Sequence, residues 1–390
     1  MGANTDHLLG RSANFYVKDE AAYKDGFGTA AQVEFAAAER VDYLSTSIDF
    51  NIDRMDRPDQ KQSRSKSQER VTGKRTISWS VEAYIQTAQT SGTPPLMDSL
   101  YEAAMGGAFG TNTYALTSVN DLPTVRLMRE GNGVLSEVVY GAWVEEMKIS
   151  GSGGDIPKVS FSGGGTHYAL TGTSTKSATG TNACTVTTGE GHNFMVGSLV
   201  TVSGQTDTTV RAIAGDVLTI TGSSFTGAVI PKVPTAVVTP AAQKVTNGIA
   251  GSVSIDGVDY PVTSFEVTLK NNVKAFEDEA LTEGVSDFVS GIRDVDGSVT
   301  VRARKDHVLA LSRRLGYTSG STRDFDDVPI VITIGPNGTQ TDVVITCATA
   351  ELLFGAIDIP ESDEAMLNIP FKALSSTALT SDELTLKFNQ

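Results

Sequence analysis

The segment PTVRLMREGNGVLSEVV, residues 123–139, is matched further along the chain by PIVITIGPNGTQTDVV, residues 329–344. Each segment contains an apolar run, an Asn-Gly pair and a second apolar run. Asn-Gly tolerates the positive φ angles that tight hairpin turns require, so Asn132-Gly133 and Asn337-Gly338 predict two antiparallel hairpins. The same supersecondary unit is therefore expected twice.

The similarity continues on both sides of these hairpins. The matched pairs are 144–161 with 354–371 at a constant offset of 210, 48–52 with 265–269, and 77–79 with 299–301. Apolar and polar residues alternate in these segments, which is typical of strands with one buried face. Self-similarity in a fixed element order indicates a repeat, so we interpret the chain as a tandem duplication of a mainly β unit.

Each half also has one predicted helix in the same position. The first begins at Thr93-Pro-Pro95, presents Leu96, Leu100 and Ala103, and stops at Gly106-Gly107. The second begins near Asp306, presents Val308, Leu311 and Leu315, and stops at Gly316. Apolar residues at helical spacing followed by glycine are the pattern of a short amphipathic helix.

Composition limits the classes of function. Acidic residues (46) exceed basic residues (31), which gives a net charge of −15. A protein held on nucleic acid by phosphate contacts needs clustered Lys and Arg, so the composition argues against broad wrapping of nucleic acid. No apolar run approaches the ~20 residues of a membrane-spanning helix, and the N-terminus lacks the pattern of a secretory leader. We expect no membrane partner and a reducing compartment, in which Cys184 and Cys347 are free thiols.

Residues 171–240 differ in composition from both halves. Only six of these seventy residues are charged and seventeen are Thr. Short predicted strands at 183–188, 199–203 and 217–221 suggest a small barrel or sandwich, flanked by linkers at 162–165 and 234–240. The predicted domains are therefore 1–165, an inserted small β domain at 166–245, and 246–390.

A search for chemistry finds no catalytic set, cofactor site or metal site. The four histidines neighbour no nucleophile motif, and there is no P-loop or His-Glu-x-x-His. Asp294-Val-Asp296-Gly297 resembles the start of a calcium loop but lacks its remaining ligands, so we interpret it as a tight turn. An enzyme is not expected.

Two long loops carry opposite charge. Residues 54–75 have a net charge of +5, and the equivalent loop 273–297 has a net charge of −5. Oppositely charged patches steer association and set register, so the loops are candidate contacts between copies of the chain; two solvated loops that diverged after duplication remain the alternative. The candidate contact residues are Arg54, Arg57, Lys61, Arg64, Lys66, Arg70, Glu277, Asp278, Glu279, Glu283 and Asp287. Loop 273–297 also holds Phe276, Leu281, Val285 and Phe288, which suggests that it packs against another element.

In this element order the sequence resembles the major tail tube proteins of bacteriophages with long non-contractile tails. The resemblance rests on the strands 48–52 and 77–81 around a long loop, the helix 95–105, and the closing strand 159–161 before a Gly-rich exit into an extra β domain. It covers residues 1–165 and 245–390, and the insert is compatible with a decoration domain. The implied fold is two tandem tube domains, mainly β, with an inserted all-β domain.

The resemblance implies a structural, self-assembling role. In that family, each tube domain lays a four-stranded sheet into a ring-shaped barrel, six domains close a ring, and rings stack through the long loop. A duplicated chain would need three copies per ring, as a homotrimer stacked head-to-tail in the virion tail after assembly in the host cytoplasm. Expected partners are the chain itself and the tape measure, tail tip and tail terminator proteins. DNA would pass an acidic lumen without specific binding.

Two alternatives remain open. A β-rich adhesion or carbohydrate-binding virion protein would use the Thr-rich insert as its binding module. Such modules expose aromatic residues, whereas Trp79 and Trp143 both fall in predicted scaffold strands. A tail terminator or connector protein would share the fold but would have one copy of the domain.

Overall fold

The fold is known from a computed structural model. The described residues are 13–20, 35, 39–56, 70–88, 90–118, 122–131, 135–172, 176–180, 183–186, 199–202, 208–214, 217–220, 225–231, 243–246, 251–277, 285–304, 306, 308–309, 328–335, 342–353, 357–358, 365–377 and 380–389. They are mainly β.

Among the described residues, ten strands and one helix come before the insert. They are Ala13–Asp19 (β1), Arg40–Val41 (β2), Ser45–Asp56 (β3), Arg70–Tyr84 (β4), Gln86–Ala88 (β5), Asp98–Met105 (α1), Thr113–Ala115 (β6), Val125–Gly131 (β7), Leu135–Ser152 (β8), Lys158–Gly164 (β9) and His167–Gly172 (β10).

The insert contributes six strands. They are Lys176–Gly180 (β11), Ala183–Val186 (β12), Leu199–Val202 (β13), Thr208–Ala214 (β14), Val217–Ile220 (β15) and Phe225–Pro231 (β16). All ladders between them are antiparallel, and they close into a six-stranded barrel.

The remaining strands follow the insert. They are Gln243–Val245 (β17), Ser252–Ile255 (β18), Val258–Tyr260 (β19), Val262–Lys270 (β20), Lys274–Glu277 (β21), Val285–Val289 (β22), Asp294–Arg302 (β23), Ile330–Ile334 (β24), Val343–Cys347 (β25), Thr349–Leu352 (β26), Ile357–Asp358 (β27), Met366–Leu374 (β28) and Thr385–Phe388 (β29).

A continuous eight-stranded sheet forms the first layer. Its order is β3-β4-β9-β8-β20-β23-β28-β26, so each half supplies four strands in the same arrangement. The halves meet where β8 pairs with β20, with Gly151 opposite Phe265 and Met147 opposite Leu269. One face is buried, as the alternation of Leu367, Ile369, Phe371 and Ala373 in β28 shows.

The second layer packs on this buried face. It contains β2-β1-β7 with the first part of β8 and β10, and the separate sheet β19-β18-β24-β25-β29-β6. Strand β6 comes from the first half but pairs with β29 of the second. Tyr101 of α1 packs against Tyr114, Phe161 and Phe388, with ring centroids 5.2, 5.2 and 5.3 Å apart. The two halves therefore share one hydrophobic core.

The predicted strands are confirmed where they fall among the described residues, and the first helix is confirmed with a later start. The turns at Asn132-Gly133 and Asn337-Gly338 lie outside the described residues. Helix α1 begins after Met97 rather than at Thr93, and ends at Gly106, whose φ of 77° is the left-handed conformation that glycine adopts easily. The second predicted helix lies mostly outside the described residues; Asp306, Val308 and Leu309 are helical.

Three sequence interpretations are wrong in detail. Residues 162–164 continue strand β9 and His167 begins β10, so the expected linker at 162–165 is mostly sheet. Asp294–Gly297 is strand rather than a tight turn. The long loop 54–75 is shorter than expected because β3 continues to Asp56 and β4 begins at Arg70.

The offsets between the halves also need correction. Met147 lies opposite Phe161, and Leu352 lies opposite Phe371. With Phe161 and Phe371 taken as equivalent at the offset of 210, Met147 corresponds to Leu352, and the match of 144–149 with 354–359 is out of register by five residues. The extra residues of the second half lie between β26 and β28.

The front strands are also shifted, by four residues in β3. Thr46 faces Val81, which faces Phe161, while Val267 faces Gly297, which faces Phe371. Thr46 therefore corresponds to Val267, and Ile48 to Leu269 rather than Phe265. A shift of four residues leaves the alternation of a strand unchanged, so the hydrophobic pattern cannot distinguish the two alignments.

No helix among the described residues is long and apolar enough to cross a lipid bilayer.

We predict that Tyr101→Ala destabilises both halves together. The side chain is fully buried among aromatic rings from each half, and removing a large aromatic from a packed core costs about 3–5 kcal/mol. Urea unfolding followed by tryptophan fluorescence and circular dichroism should show one shifted transition with both probes. Leu44→Ala, at an exposed position, is the control and should change little. Separate transitions for the two probes would contradict the shared core.

We predict a pH dependence from Asp98. Burial raises the pKa of this carboxyl to about 6; the hydrogen bond from Tyr114 Oη (2.5 Å) opposes the shift, and Glu102 and Asp19 add to it. Because the pKa is higher in the folded state, Asp98 favours folding below its unfolded pKa, and this contribution is lost as the pH rises through about 6. Urea unfolding of Asp98→Asn should lack that loss between pH 4 and pH 7. Parallel stability profiles for the variant and the wild type would contradict this.

Candidate functional site

The polar face of the eight-stranded sheet is the first candidate surface. Residues directly opposite in antiparallel strands share a face, and this face alternates with the buried one. Small hydroxyl side chains are frequent on it: Ser47, Ser78, Ser80, Ser150, Ser160, Ser162, Ser264, Thr268, Ser298 and Thr300. Ser47 and Ser80 share a hydrogen bond of 2.9 Å. The face is smooth and hydrophilic.

Charged residues on this face are mostly acidic. The carboxylates are Asp49, Glu82, Glu146, Glu266, Asp294, Asp296 and Glu351, and the cations are Lys148, Lys158, Lys270, Arg302 and Lys372. Seven carboxylates against five cations leave an acidic surplus.

Three cross-strand ion pairs neutralise part of the charge on the polar face. Lys158 Nζ lies 3.0 Å from Glu82 Oε1, Lys148 Nζ 2.8 Å from Glu266 Oε2, and Lys372 Nζ 2.9 Å from Asp294 Oδ1. Hydrogen bonds from Lys372 and Asn272 lower the pKa of Asp294, and the bond to Asp294 raises the pKa of Lys372. These lysines are therefore held against the sheet rather than extended from it.

The two edges of this sheet are the second candidate surface. Strand β3 pairs with β4 only, and β26 pairs with β28 only, among the strands that the structure describes. Each edge leaves backbone N–H and C=O groups available to another strand, which is how sheets extend between chains. On β26 one of these groups is already used, since Ala350 O accepts from Val328 N at 3.2 Å. Leu353, next to β26, is 47% exposed. The sequence analysis did not identify either edge, because which strands lie at the edges depends on the strand order, and that order is set by pairing between distant segments.

The charged loops form the third candidate surface, at one end of the sheet. Arg54 lies in β3 opposite Thr72, and Arg70 in β4 opposite Asp56. Glu277 ends β21 and Asp287 lies in β22 of a short hairpin. Arg57, Lys61, Arg64, Lys66, Asp278, Glu279 and Glu283 lie outside the described residues.

The described ends of the two loops meet within one chain. Lys74 Nζ forms an ion pair with Glu277 Oε1, so the basic and acidic loops meet at this point. The acidic hairpin also packs as the sequence suggests. The ring of Phe288 stacks on Trp143 at 5.2 Å, and Val285 joins the same cluster. Phe276 is 47% exposed and stands outside that cluster.

A buried amide anchors the hairpin to the core. Asn271 Nδ2 donates to Ala104 O (3.0 Å) in α1 and to Val144 O (3.1 Å) in β8. Sequence reasoning missed Asn271 because it follows a strand in a polar stretch and resembles a turn residue. Its position between β20 and β21 fixes where the acidic hairpin leaves the sheet.

The described part of the chain gives little sign of a metal site, a reactive thiol or an exposed tryptophan. There, no three His, Cys, Asp or Glu side chains form a group that could hold a metal ion. Cys347 is a buried free thiol, and burial raises its pKa to about 12. Both tryptophans are buried in β4 and β8, as expected for scaffold residues.

Comparison with known proteins agrees with an assembly role. A family model described as phage tail tube protein matches residues 10–373. A search of curated proteins found no significant match. Because the family model spans nearly the whole chain, and the described part of that span is a mainly β fold with open sheet edges, the chain belongs to the phage tail tube protein family.

Proposed function

We propose that three copies of this chain close one ring of a phage tail tube, and that stacked rings form a channel for the viral DNA. The observation that carries the proposal is the eight-stranded sheet with an open edge on each side. Three such sheets give about two dozen strands, more than the 16–18 that already enclose a water-filled channel. At a spacing of ~4.8 Å between strands, the backbone ring would be roughly 37 Å across.

The pseudo-sixfold character of the ring rests on the proposed duplication. The order β3-β4-β9-β8 in the first half corresponds to β20-β23-β28-β26 in the second. Both units join antiparallel strands throughout. A junction between equivalent units already exists at β8 and β20, so chains can repeat it around a ring.

The polar face would line the channel. The opposite face is buried under the second layer, so only this face is left for the lumen. Its surplus of carboxylates repels phosphates, while the ion-paired lysines offer few free cations for a passing DNA backbone. DNA would slide along hydroxyl groups without specific binding.

Rings would stack head-to-tail, since an open heterologous contact generates a filament. The charged loops at one end of the sheet are the proposed contacts with the next ring. Tape measure, tail tip and terminator proteins are the proposed partners, and the virion tail is the proposed location with assembly in the host cytoplasm. The family itself is structural, and we propose no enzymatic role.

We predict hollow tubes or stacked rings when the purified protein is concentrated. Negative-stain electron microscopy should show them, and mass determination on the smallest closed oligomer should give three chains. Six chains per ring would contradict the role proposed for the second half. A persistent monomer at every concentration, also after seeding with preformed tail tips, would contradict ring formation itself.

We predict that reversing the charge of Arg54, Arg57, Lys61 and Arg64 prevents stacking but leaves the fold intact. The loss of complementary charge removes attraction between rings. Electron microscopy should show no tubes, while circular dichroism stays unchanged. The matched variant also reverses Asp278, Glu279 and Glu283. Because both loops lie at the same end of the sheet, each meets the opposite end of the next ring in head-to-tail stacking, so this exchange should not restore tubes. Normal tubes from the first variant would contradict loop docking.

A further inference from the structure

The internal junction between the two halves is electrostatically complementary. Strand β8 pairs with β20 over seven positions, with Glu146 directly opposite Lys270. Lys148 Nζ also reaches across the junction to Glu266 Oε2, 2.8 Å away. Opposite charges directly across a strand pair stabilise it, and like charges destabilise it.

The same register can be transferred to the junction between chains. Met147 corresponds to Leu352 and Leu269 to Ile48, through the strand pairings of each half. Since Met147 faces Leu269 inside the chain, Leu352 would face Ile48 of the next copy. Both side chains are buried and belong to the core face, so the apolar side of this seam matches that of the internal junction.

The polar side of the seam does not match. At the neighbouring position of each strand, Glu146 corresponds to Glu351 and Lys270 corresponds to Asp49. The Glu–Lys pair of the internal junction is therefore replaced, at the junction between chains, by Glu351 opposite Asp49. Asp49 is exposed, and the residue opposite it on β4 is Ser78. Glu351 faces Lys372, whose ammonium is bound to Asp294 and also interacts with Asp296 and Glu351, so three carboxylates share this one cation.

From this we propose that Asp49 of one copy and Glu351 of the next face each other across the seam, and that their repulsion holds back ring closure. The inference rests on the proposed ring. It makes the seam between chains weaker than the junction within a chain, although both use the same backbone register. Free chains would then persist until concentration, salt or an initiating complex overcomes the repulsion.

The test is Asp49→Lys, which reproduces the internal Lys270–Glu146 arrangement at every seam. We expect the concentration for half-maximal ring formation, measured by sedimentation velocity, to fall about three- to tenfold. Raising the salt concentration should promote ring formation of the wild type by screening the repulsion, and should affect the variant less.

Two further variants separate the seam from general charge effects. Asp259→Lys changes the net charge by the same amount at an exposed position in β19 of the second layer, and should leave ring formation unchanged. Asp49→Lys combined with Glu351→Lys places two cations across the seam, and should lose the gain of the single variant.

The outcomes distinguish this inference from the proposed function. If the wild type forms three-chain rings and Asp49→Lys closes them no more readily, or if Asp259→Lys helps equally, the seam repulsion is overturned and the ring stands. If no variant forms rings under any condition, both are overturned.

Discussion

One strand, β8, carries hydrogen bonds in both layers and joins the two halves. Its first part pairs with β7 and β10, and its last part with β9 and β20. The change of partner follows Gly141, whose φ of 56° is a left-handed conformation that few other residues adopt without strain. The amide of Gly141 donates to Glu20 Oε1 at 2.9 Å, which satisfies the backbone at the bend. The positions of both sheets depend on this bend.

Aromatic rings lie over glycines on neighbouring strands of the eight-stranded sheet and support the close packing of these strands. A Cβ added to Gly151 would meet the ring of Phe265 at 2.6 Å, and one added to Gly297 would meet Phe371 at 2.2 Å. Trp143 covers Gly164 in the same way. Each ring belongs to the strand directly opposite its glycine. Aromatic residues that cover glycines on a neighbouring strand pin register in a curved sheet, which is the shape that a ring requires.

Local sequence patterns predicted the individual strands, whereas pairing between distant segments decided how the strands are arranged. The alternation in 265–269 and the flanks of the Asn-Gly hairpins depends on one strand at a time, so strands and core faces followed from sequence. The register between the halves did not follow from the sequence, because a shift by an even number of residues preserves the alternation of apolar and polar residues. For the candidate site, charge counts located the two loops. The open edges of β3 and β26 needed the complete strand order.

An open sheet edge creates a conflict that the edge residues must resolve. It has to accept a strand of the next copy, yet an exposed flat edge pairs with any available strand and leads to aggregation. Charged side chains on edge strands are one device against this, and β3 carries the exposed carboxylates Asp49 and Asp53. The opposing edge is short, since β26 spans Thr349–Leu352 only. An acidic edge meeting a short acidic edge disfavours random pairing, and a partner strand offsets the repulsion only in the register that completes the backbone ladder and continues the apolar face from Ile48 to Leu352. Specificity at the seam would then come from combining apolar match on one face with charge conflict on the other.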